Sequence, residues 1–447
     1  MTQDASRSRP ASVPQSRLAR AGRMGAMAAG VAGNMAVGGL RTLGTGARPD
    51  PRALLLTPGN LRRVADTLAQ MRGAAMKMGQ LISMDTGDTL PPELTDILAR
   101  LRADADFMPP KQLRTVLNEA WGTGWHRQFK RFDVRPIAAA SIGQVHQAWL
   151  HDGTHLAIKV QYPGISRSID SDVANLGRLL RLSGLLPKGF DLGPYLDEAR
   201  AQLHEEADYA AEAAHLERFA TLLAGSQDFV LPQFHAPLSS KTVLAMSFVA
   251  SAPIESLGDA PPQIRDRGVT RLIQLMLREL FAFGIMQTDP NFANYRTEAD
   301  TGRIVLLDFG ATRVLPGWLA PACRTLVQAG LAGDRTGVAD QLDRMGLVPA
   351  ATPAHHKARI LGMVDMVFDT LRTQDSLDLA TSDLAARLQA EGEALARAGF
   401  VPTEPMPLDL LFVQRKVAGM FLLAARLGAT VPVRDLLAPY LAAPEAA

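Results

Sequence analysis

The stretch Gln287-Thr-Asp289-Pro-Asn-Phe-Ala-Asn294, followed after a hairpin pattern by Leu307-Asp308-Phe-Gly310, decides how the rest of this chain is read. Asp289 supplies a carboxylate that can accept a hydroxyl proton or orient a water. Five residues later Asn294 supplies an amide oxygen, and Asp308 adds a second carboxylate. Both suit Mg²⁺, a hard cation that takes oxygen ligands. Two β-like runs, 294–296 and 303–307, lie between them, joined through Asp300-Thr-Gly302. Each piece is ordinary alone, since Asp-Pro is a common turn starter and Asp-Phe-Gly a mere tripeptide. Order, spacing and intervening hairpin together carry the signal.

That order is the one used for phosphoryl transfer in kinase folds. Such a fold demands, upstream, a small sheet with a phosphate-covering loop and a lysine on its third strand. Between 132 and 160 the chain turns to short β-like runs punctuated by Pro136, Gly143 and the turn dipeptide Asp152-Gly153. Ala138-Ala139-Ala140-Ser141-Ile-Gly143 precedes a strand at 144–150, and the next strand reads Leu156-Ala-Ile-Lys159-Val160. Lys159 alternates with Ile158 and Val160, which turns it toward a cleft where it can meet phosphate oxygens. The alternative is a lysine guarding a sheet edge. Only eight of the 47 basic residues are lysine, so each is less easily filler. Ala138, Ala139 and Ala140 stand where glycines usually let backbone amides approach phosphate, and their methyl groups should change how phosphates sit.

The lysine also needs a carboxylate on a helix. Leu203-His-Glu-Glu206-Ala-Asp208-Tyr-Ala-Ala-Glu212 supplies several, inside a pattern that reads as helical from 195 to 223. On one helix Glu206 and Glu212, six residues apart, face different ways and should serve different partners. Glu205 reads as part of a solvated acidic face. Met246-Ser-Phe248-Val249, a strand leading into a loop, lies where a hinge would hold adenine through backbone groups.

Outward from these segments, helical spacing is expected at 61–71 behind Thr57, at 93–102, 111–120, 171–186 and 264–283, and throughout from Trp318 to the end. The most apolar of the last group, 408–427, carries Gln414, Arg415 and Lys416 at its centre, which argues against a bilayer span. Residues 1–23 read as a flexible basic tail. The Ala/Gly-rich run 24–40 reads as a weak surface helix, with a reversible membrane-surface contact helped by Arg17, Arg20 and Arg23 as the alternative. The 447 residues, 47% hydrophobic and 21% charged, can bury a full-sized core. A net charge of +2 gives no reason to expect nucleic acid as a partner. The single cysteine, Cys323, excludes an intrachain disulfide framework and a cysteine-cluster metal site.

Together, Lys77-Met-Gly-Gln80, Ala138-Ala-Ala-Ser-Ile-Gly-Gln-Val-His146, Lys159-Val-Gln-Tyr-Pro-Gly164, Glu206-Ala-Asp208 and Gln287-Thr-Asp-Pro-Asn-Phe-Ala-Asn294 resemble the UbiB/ADCK atypical kinase-like family. They are most similar to its coenzyme Q biosynthesis branch. The resemblance runs in matching order over residues 60–320 or so. It implies an α+β, protein-kinase-like two-lobed fold with an N-terminal helical extension and an all-helical C-terminal region. The extension would lay its Lys-x-Gly-Gln motif over the active site. It further implies ATP (or ADP) and Mg²⁺ as cofactors, ATPase activity, and support of ubiquinone synthesis at a membrane. Carried over, Lys77 pairs with Glu206 and Lys159 with Glu212, Asp289 is the catalytic acid/base, and Asn294 and Asp308 hold Mg²⁺. Ala138, Ala139, Ala140, Ser141, Lys159, Met246, Phe248 and Val249 become nucleotide contacts. Lys77, Gln80, Glu206 and Asp208 become a regulatory set. Two departures follow: Ser247 replaces an acidic hinge residue, and the C-terminal transmembrane pair of some bacterial members is missing.

The expected organisation is a tail and Ala/Gly-rich helix over 1–57, a helical extension over 58–125, an N-lobe with inserted helices over 126–250 and a helical C-lobe over 251–447. The expected function is Mg²⁺-dependent ATP binding and hydrolysis in ubiquinone biosynthesis. Membrane lipid, ubiquinone precursors or biosynthesis proteins would be the partners, and the location cytoplasmic with peripheral membrane contact. A genuine small-molecule or protein kinase and a non-catalytic nucleotide-binding scaffold are the alternatives.

Overall fold

The computed structural model describes residues 107–182, 191–298, 301–400 and 406–442, with short stretches at 29–30, 33–37, 41–43, 57, 59, 73–75 and 77–78. The basic tail, the helices expected at 61–71 and 93–102, and Gln80 lie outside the described residues. The chain forms two compact units: Met1–Arg218 with Pro232–Val249, and Phe219–Leu231 with Ala250–Ala447.

The first unit is built on an antiparallel sheet. Its strands are β1 (Phe129–Phe132), β2 (Ala138–Ala139), β3 (Gly143–Leu150), β4 (His155–Gln161) and β6 (Val243–Ser247), while β5 (Phe229–Val230) belongs to the second unit. The order is β1-β3-β4-β6, with β2 paired to β3. β3 and β4 join through Asp152-Gly153, where Gly153 takes φ 93° and the Asp152 carboxylate accepts from Thr154 N at 2.9 Å. Between its two neighbours, β4 buries Leu156, Ile158 and Val160 on the face that Val243 and Ala245 of the next strand share. Each such aliphatic side chain contributes about 1.5–3 kcal/mol by leaving water. Helix α1 (Pro110–Trp121) packs Leu113, Val116 and Leu117 into the same core, and Trp121 Nε1 donates to Leu238 O at 2.9 Å.

Three further helices follow: α2 (Ile169–Leu182), α3 (Gly193–Glu206) and α4 (Tyr209–Leu222). The single helix expected over 195–223 is therefore two. Its break falls at Ala207-Asp208, where the Asp208 carboxylate accepts from Ala211 N at 3.0 Å and caps the second piece. An aspartate that can bond the first-turn amides favours starting a new helix over continuing the old one. Glu205, expected on a solvated face, is half-buried.

In the second unit α5 (Pro262–Arg278) buries Val269, Leu272, Ile273 and Met276. The helix expected to reach 283 changes there to a π-helical turn, Glu279–Phe283, and ends at Gly284 with φ 64°. β8 (Ile285–Gln287) pairs with β11 (Thr312–Val314). A second sheet has the order β5-β10-β9-β7, with β7 (Ala252–Pro253), β9 (Tyr295–Thr297) and β10 (Ile304–Leu306); β5 runs parallel to β10. Helices α6 (Leu319–Ala332), α7 (Arg335–Arg344), α8 (Ala354–Thr373), α9 (Leu384–Arg397), α10 (Leu408–Leu427) and α11 (Val433–Leu441) complete the unit. The helical expectation beyond Trp318 holds except for one two-residue ladder, β12 (Leu377–Asp378) with β13 (Thr430–Val431), too short to leave a periodic signal. Among the described residues no helix is long and apolar enough to cross a membrane.

Candidate active site

In the first unit Lys159, on the central strand, reaches Glu212 in the first turn of α4. Its ammonium donates to both carboxylate oxygens at 2.8 Å. Both side chains are buried, Lys159 at 7% exposure and Glu212 at 2%, so the pair is shielded from solvent and salt. The Lys159 ammonium also sits 5.2 Å from the Tyr209 ring centroid. Sequence reasoning did not single out Gln161, whose amide donates to Ala207 O at 2.8 Å and so ties the end of β4 to the turn that starts α4. A buried amide two residues beyond the lysine was the available signal.

The alanine-rich segment is a hairpin rather than an open loop. Ala138 and Ala139 pair with Val145 and Gln144, and Ala140 N donates to Gly143 O at 2.8 Å. Against it lies the helical stretch holding Gly73 and Lys77. A Cβ on Gly73 would stand 2.9 Å from Ser141 O, so only glycine allows this approach. Lys77, 1% exposed, forms an ion pair with Glu206 at 2.8 Å, and Ser141 Oγ donates to the other oxygen of that carboxylate. Asp208, by contrast, is exposed and bonds locally as the cap of α4. The buried pair Gln144 and His146, also missed from sequence, anchors the entry to α1. Gln144 Oε1 accepts from Met108 N at 2.8 Å and its amide donates to His146 Nε2 at 2.8 Å, which leaves His146 Nδ1 to donate to Asp133 O at 2.8 Å.

Of the expected hinge residues, Met246 lies in the core and Phe248 stacks on His155 at 4.2 Å between ring centroids. Phe248 N already donates to His155 O at 2.9 Å, so that amide is committed to the sheet. Ser247 exchanges bonds with Gln233: its N donates to Gln233 O and its Oγ accepts from Gln233 N, each at 2.8 Å.

In the second unit the β8–β11 ladder holds the two loops named from sequence. Thr288 donates to Ala311 O through both its N (2.9 Å) and its Oγ1 (2.8 Å). Beyond it, Asp289 Oδ1 accepts from Asn291 N at 3.3 Å and Asp289 Oδ2 from Asn294 Nδ2 at 3.3 Å. That orientation turns the acceptor oxygen of the Asn294 amide away from Asp289. Leu307 N donates to Asn294 O at 3.1 Å, which brings the segment leading to Asp308 beside Asn294. Asp308 Oδ1 accepts from Gly310 N at 2.9 Å, and Phe309 packs on Phe219 at 5.0 Å. Among the described residues no three His, Cys, Asp or Glu side chains gather into a self-contained metal centre. One amide oxygen and one half-buried carboxylate are a donor set that fits Mg²⁺ carried in with phosphate oxygens, the usual way this ion is held.

The ABC1 atypical kinase-like domain matches residues 100–342, more than half of the chain. This chain belongs to the ABC1 family of atypical kinases, also called UbiB/ADCK. It is 34% identical over 422 residues to "Atypical kinase COQ8, mitochondrial" of Saccharomyces cerevisiae, an alignment covering 94% of this chain and 84% of the yeast protein. It is 35% identical over 434 residues to "Atypical kinase coq-8, mitochondrial" of Caenorhabditis elegans, covering 95% of this chain but 57% of the nematode protein. In fold it is similar to the Rv3197 chain of an Rv3197–erythromycin complex from Mycobacterium tuberculosis, with a TM-score of 0.60, 24% identity, and coverage of 84% of this chain and 95% of that one. The ABC1 chain thus shares its fold with a solved structure.

Proposed function

We propose that this ABC1 chain binds ATP with Mg²⁺ and hydrolyses it in support of ubiquinone biosynthesis, with membrane lipid or quinone intermediates as ligands or regulators. Lys159, held by Glu212, meets phosphate oxygens; Asn294 and Asp308 hold the metal; Asp289 accepts a proton or orients water. When bound, Mg²⁺ neutralises charge on the phosphates. The chain's own residues fix the geometry around it. The observation that carries the reading is the Asp289–Asn294 hydrogen bond at 3.3 Å beside the Asn294–Leu307 bond at 3.1 Å. These bonds support the reading because they hold Asp289 to Asn294 and set the segment leading to Asp308 beside Asn294. Hydrolysis is favoured over transfer to a protein because Gly73 and Lys77 pack on the alanine-rich hairpin and Glu206. Peripheral attachment to a membrane completes the proposal.

Steady-state ATP hydrolysis by purified protein with and without liposomes tests the catalytic part. Lys159→Ala and Asp308→Asn should each abolish turnover, and unchanged rates in both would sink the assignment. Deleting the gene and profiling quinones and their precursors tests the pathway: normal ubiquinone with no accumulated precursor would refute it.

A further inference from the structure

Lys416 lies in the middle of α10, 1% exposed, too deep to touch a ligand. Its ammonium donates to Gln287 O at 2.7 Å, to Tyr295 Oη at 2.6 Å and to Gln287 Oε1 at 3.1 Å, and stands 3.4 Å from Glu279 Oε2. Tyr295 Oη in turn donates to Gln287 Oε1 at 3.2 Å. Three ammonium hydrogens therefore serve one main-chain carbonyl, one phenol and one site shared by an amide oxygen and a carboxylate. Gln287 is the last residue before Thr288-Asp289, and Tyr295 is the first after Asn294. The lysine thus grips the Asp289–Asn294 loop at both ends. One turn further along α10, a Cβ on Gly419 would fall 2.3 Å from Pro290 Cβ, so the helix backbone itself supports the middle of that loop. Near the start of α10 the Phe412 ring receives the Arg313 guanidinium of β11 at 3.8 Å.

We infer that Lys416 is a positioning residue for phosphoryl transfer, setting the Asp289–Asn294 loop from beneath through Gln287 and Tyr295, with α10 as its platform. This rests on the proposed reading of Asp289 and Asn294. A purely structural lysine would need only to neutralise buried Glu279, which the same ammonium already approaches from one side. The bonds to both ends of the loop are what that role leaves unexplained. Burial alone would lower the Lys416 pKa, but Glu279 and Tyr295 outweigh it and hold it above the ordinary value, so the grip keeps its charge.

The test compares Lys416→Met, Glu279→Gln, their double variant and Tyr295→Phe in the full chain. Readouts are ATP turnover, MgADP affinity by calorimetry and hydrogen exchange over 287–295. Lys416→Met should cut turnover about 10- to 100-fold, as a small misplacement of reacting groups does, with affinity changed less than about twofold. The double variant should regain thermal stability without regaining turnover. Tyr295→Phe, which removes one hydroxyl and keeps the ring, should lower turnover in the same direction even if Lys416→Met does not fold. In each gripping variant, exchange over 287–295 should rise. Wild-type turnover in the double variant would overturn the inference, because neutralising Glu279 would then be the whole role. Turnover and affinity falling in equal proportion, or unchanged exchange over the loop, would overturn it too. If the wild-type chain shows no turnover, the phosphoryl-transfer reading fails, and loop exchange still decides the positioning role.

Discussion

Three of the chain's eight lysines are buried among the described residues, and each faces a carboxylate: Lys77 with Glu206, Lys159 with Glu212, Lys416 with Glu279. Removing one partner of such a pair leaves a charge without compensation. Glu212→Leu is therefore expected to destabilise the protein by about 3–5 kcal/mol in urea unfolding, and adding Lys159→Met should recover most of it. Two of these lysines were legible as chemistry, because they fall in recognisable motifs. Lys416 was legible only as a charge in an apolar helix, since nothing local to residues 408–427 tells what it meets. His146 gives a pH prediction. Burial lowers its pKa from 6.5 to about 4, and its bond to Asp133 O offsets this only in part. Above pH 6.5 both folded and unfolded chains keep the imidazole neutral. As the pH falls from 6.5 toward 4 the unfolded chain takes up a proton that the folded chain refuses, so stability drops by a total of about 3 kcal/mol. Unfolding curves across that window should show the slope in the wild type, and His146→Gln should lose its share of it.

At the level of elements, sequence pattern located the long helices of the described residues and the strands β3, β4, β6, β9 and β10, but not the short strands β5, β7, β8 and β11 to β13, nor where helices change character. The break between α3 and α4 preserves the apolar spacing on both sides and so leaves no trace in it; only the capping potential of Asp208 marks the boundary. Asp208→Ala should accordingly cost about 1 kcal/mol, seen as a lower denaturant midpoint, and raise hydrogen exchange at the start of α4. The π-helical turn at Glu279–Phe283 is likewise invisible to spacing. The contact of Gly73 with the alanine-rich hairpin is an element-to-element matter. Gly73→Ala places a methyl group 2.9 Å from Ser141 O, a backbone atom that cannot step aside cheaply. The expected loss is about 1–3 kcal/mol, with faster exchange confined to residues 138–143 and the segment carrying Lys77. A global loss of protection would contradict that local account.

For the molecule as a whole, ligand linkage offers the broadest check. If the chain binds Mg²⁺-nucleotide as proposed, then MgATP at about 100 times its Kd should raise unfolding free energy by about 2.7 kcal/mol. The Mg²⁺-dependent part should vanish in Asp308→Asn or with excess chelator, as read by the shift in melting temperature. Motif order, the long helices and main strands, the candidate acid/base and metal donors, and the absence of a disulfide framework were all set by the sequence alone. They depend on residue type and short-range spacing, which one chain displays in full. Which amide of residues 246–249 is already committed to the sheet, why Gly73 must be glycine, and that Lys416 reaches both ends of the Asp289–Asn294 loop were decided only by tertiary structure. The lysine and the glutamine it grips are 129 residues apart, and Lys159 and Glu212 are 53 apart. Contacts at such separations arise from how packed elements exclude water and satisfy one another's polar groups, and no local pattern encodes them.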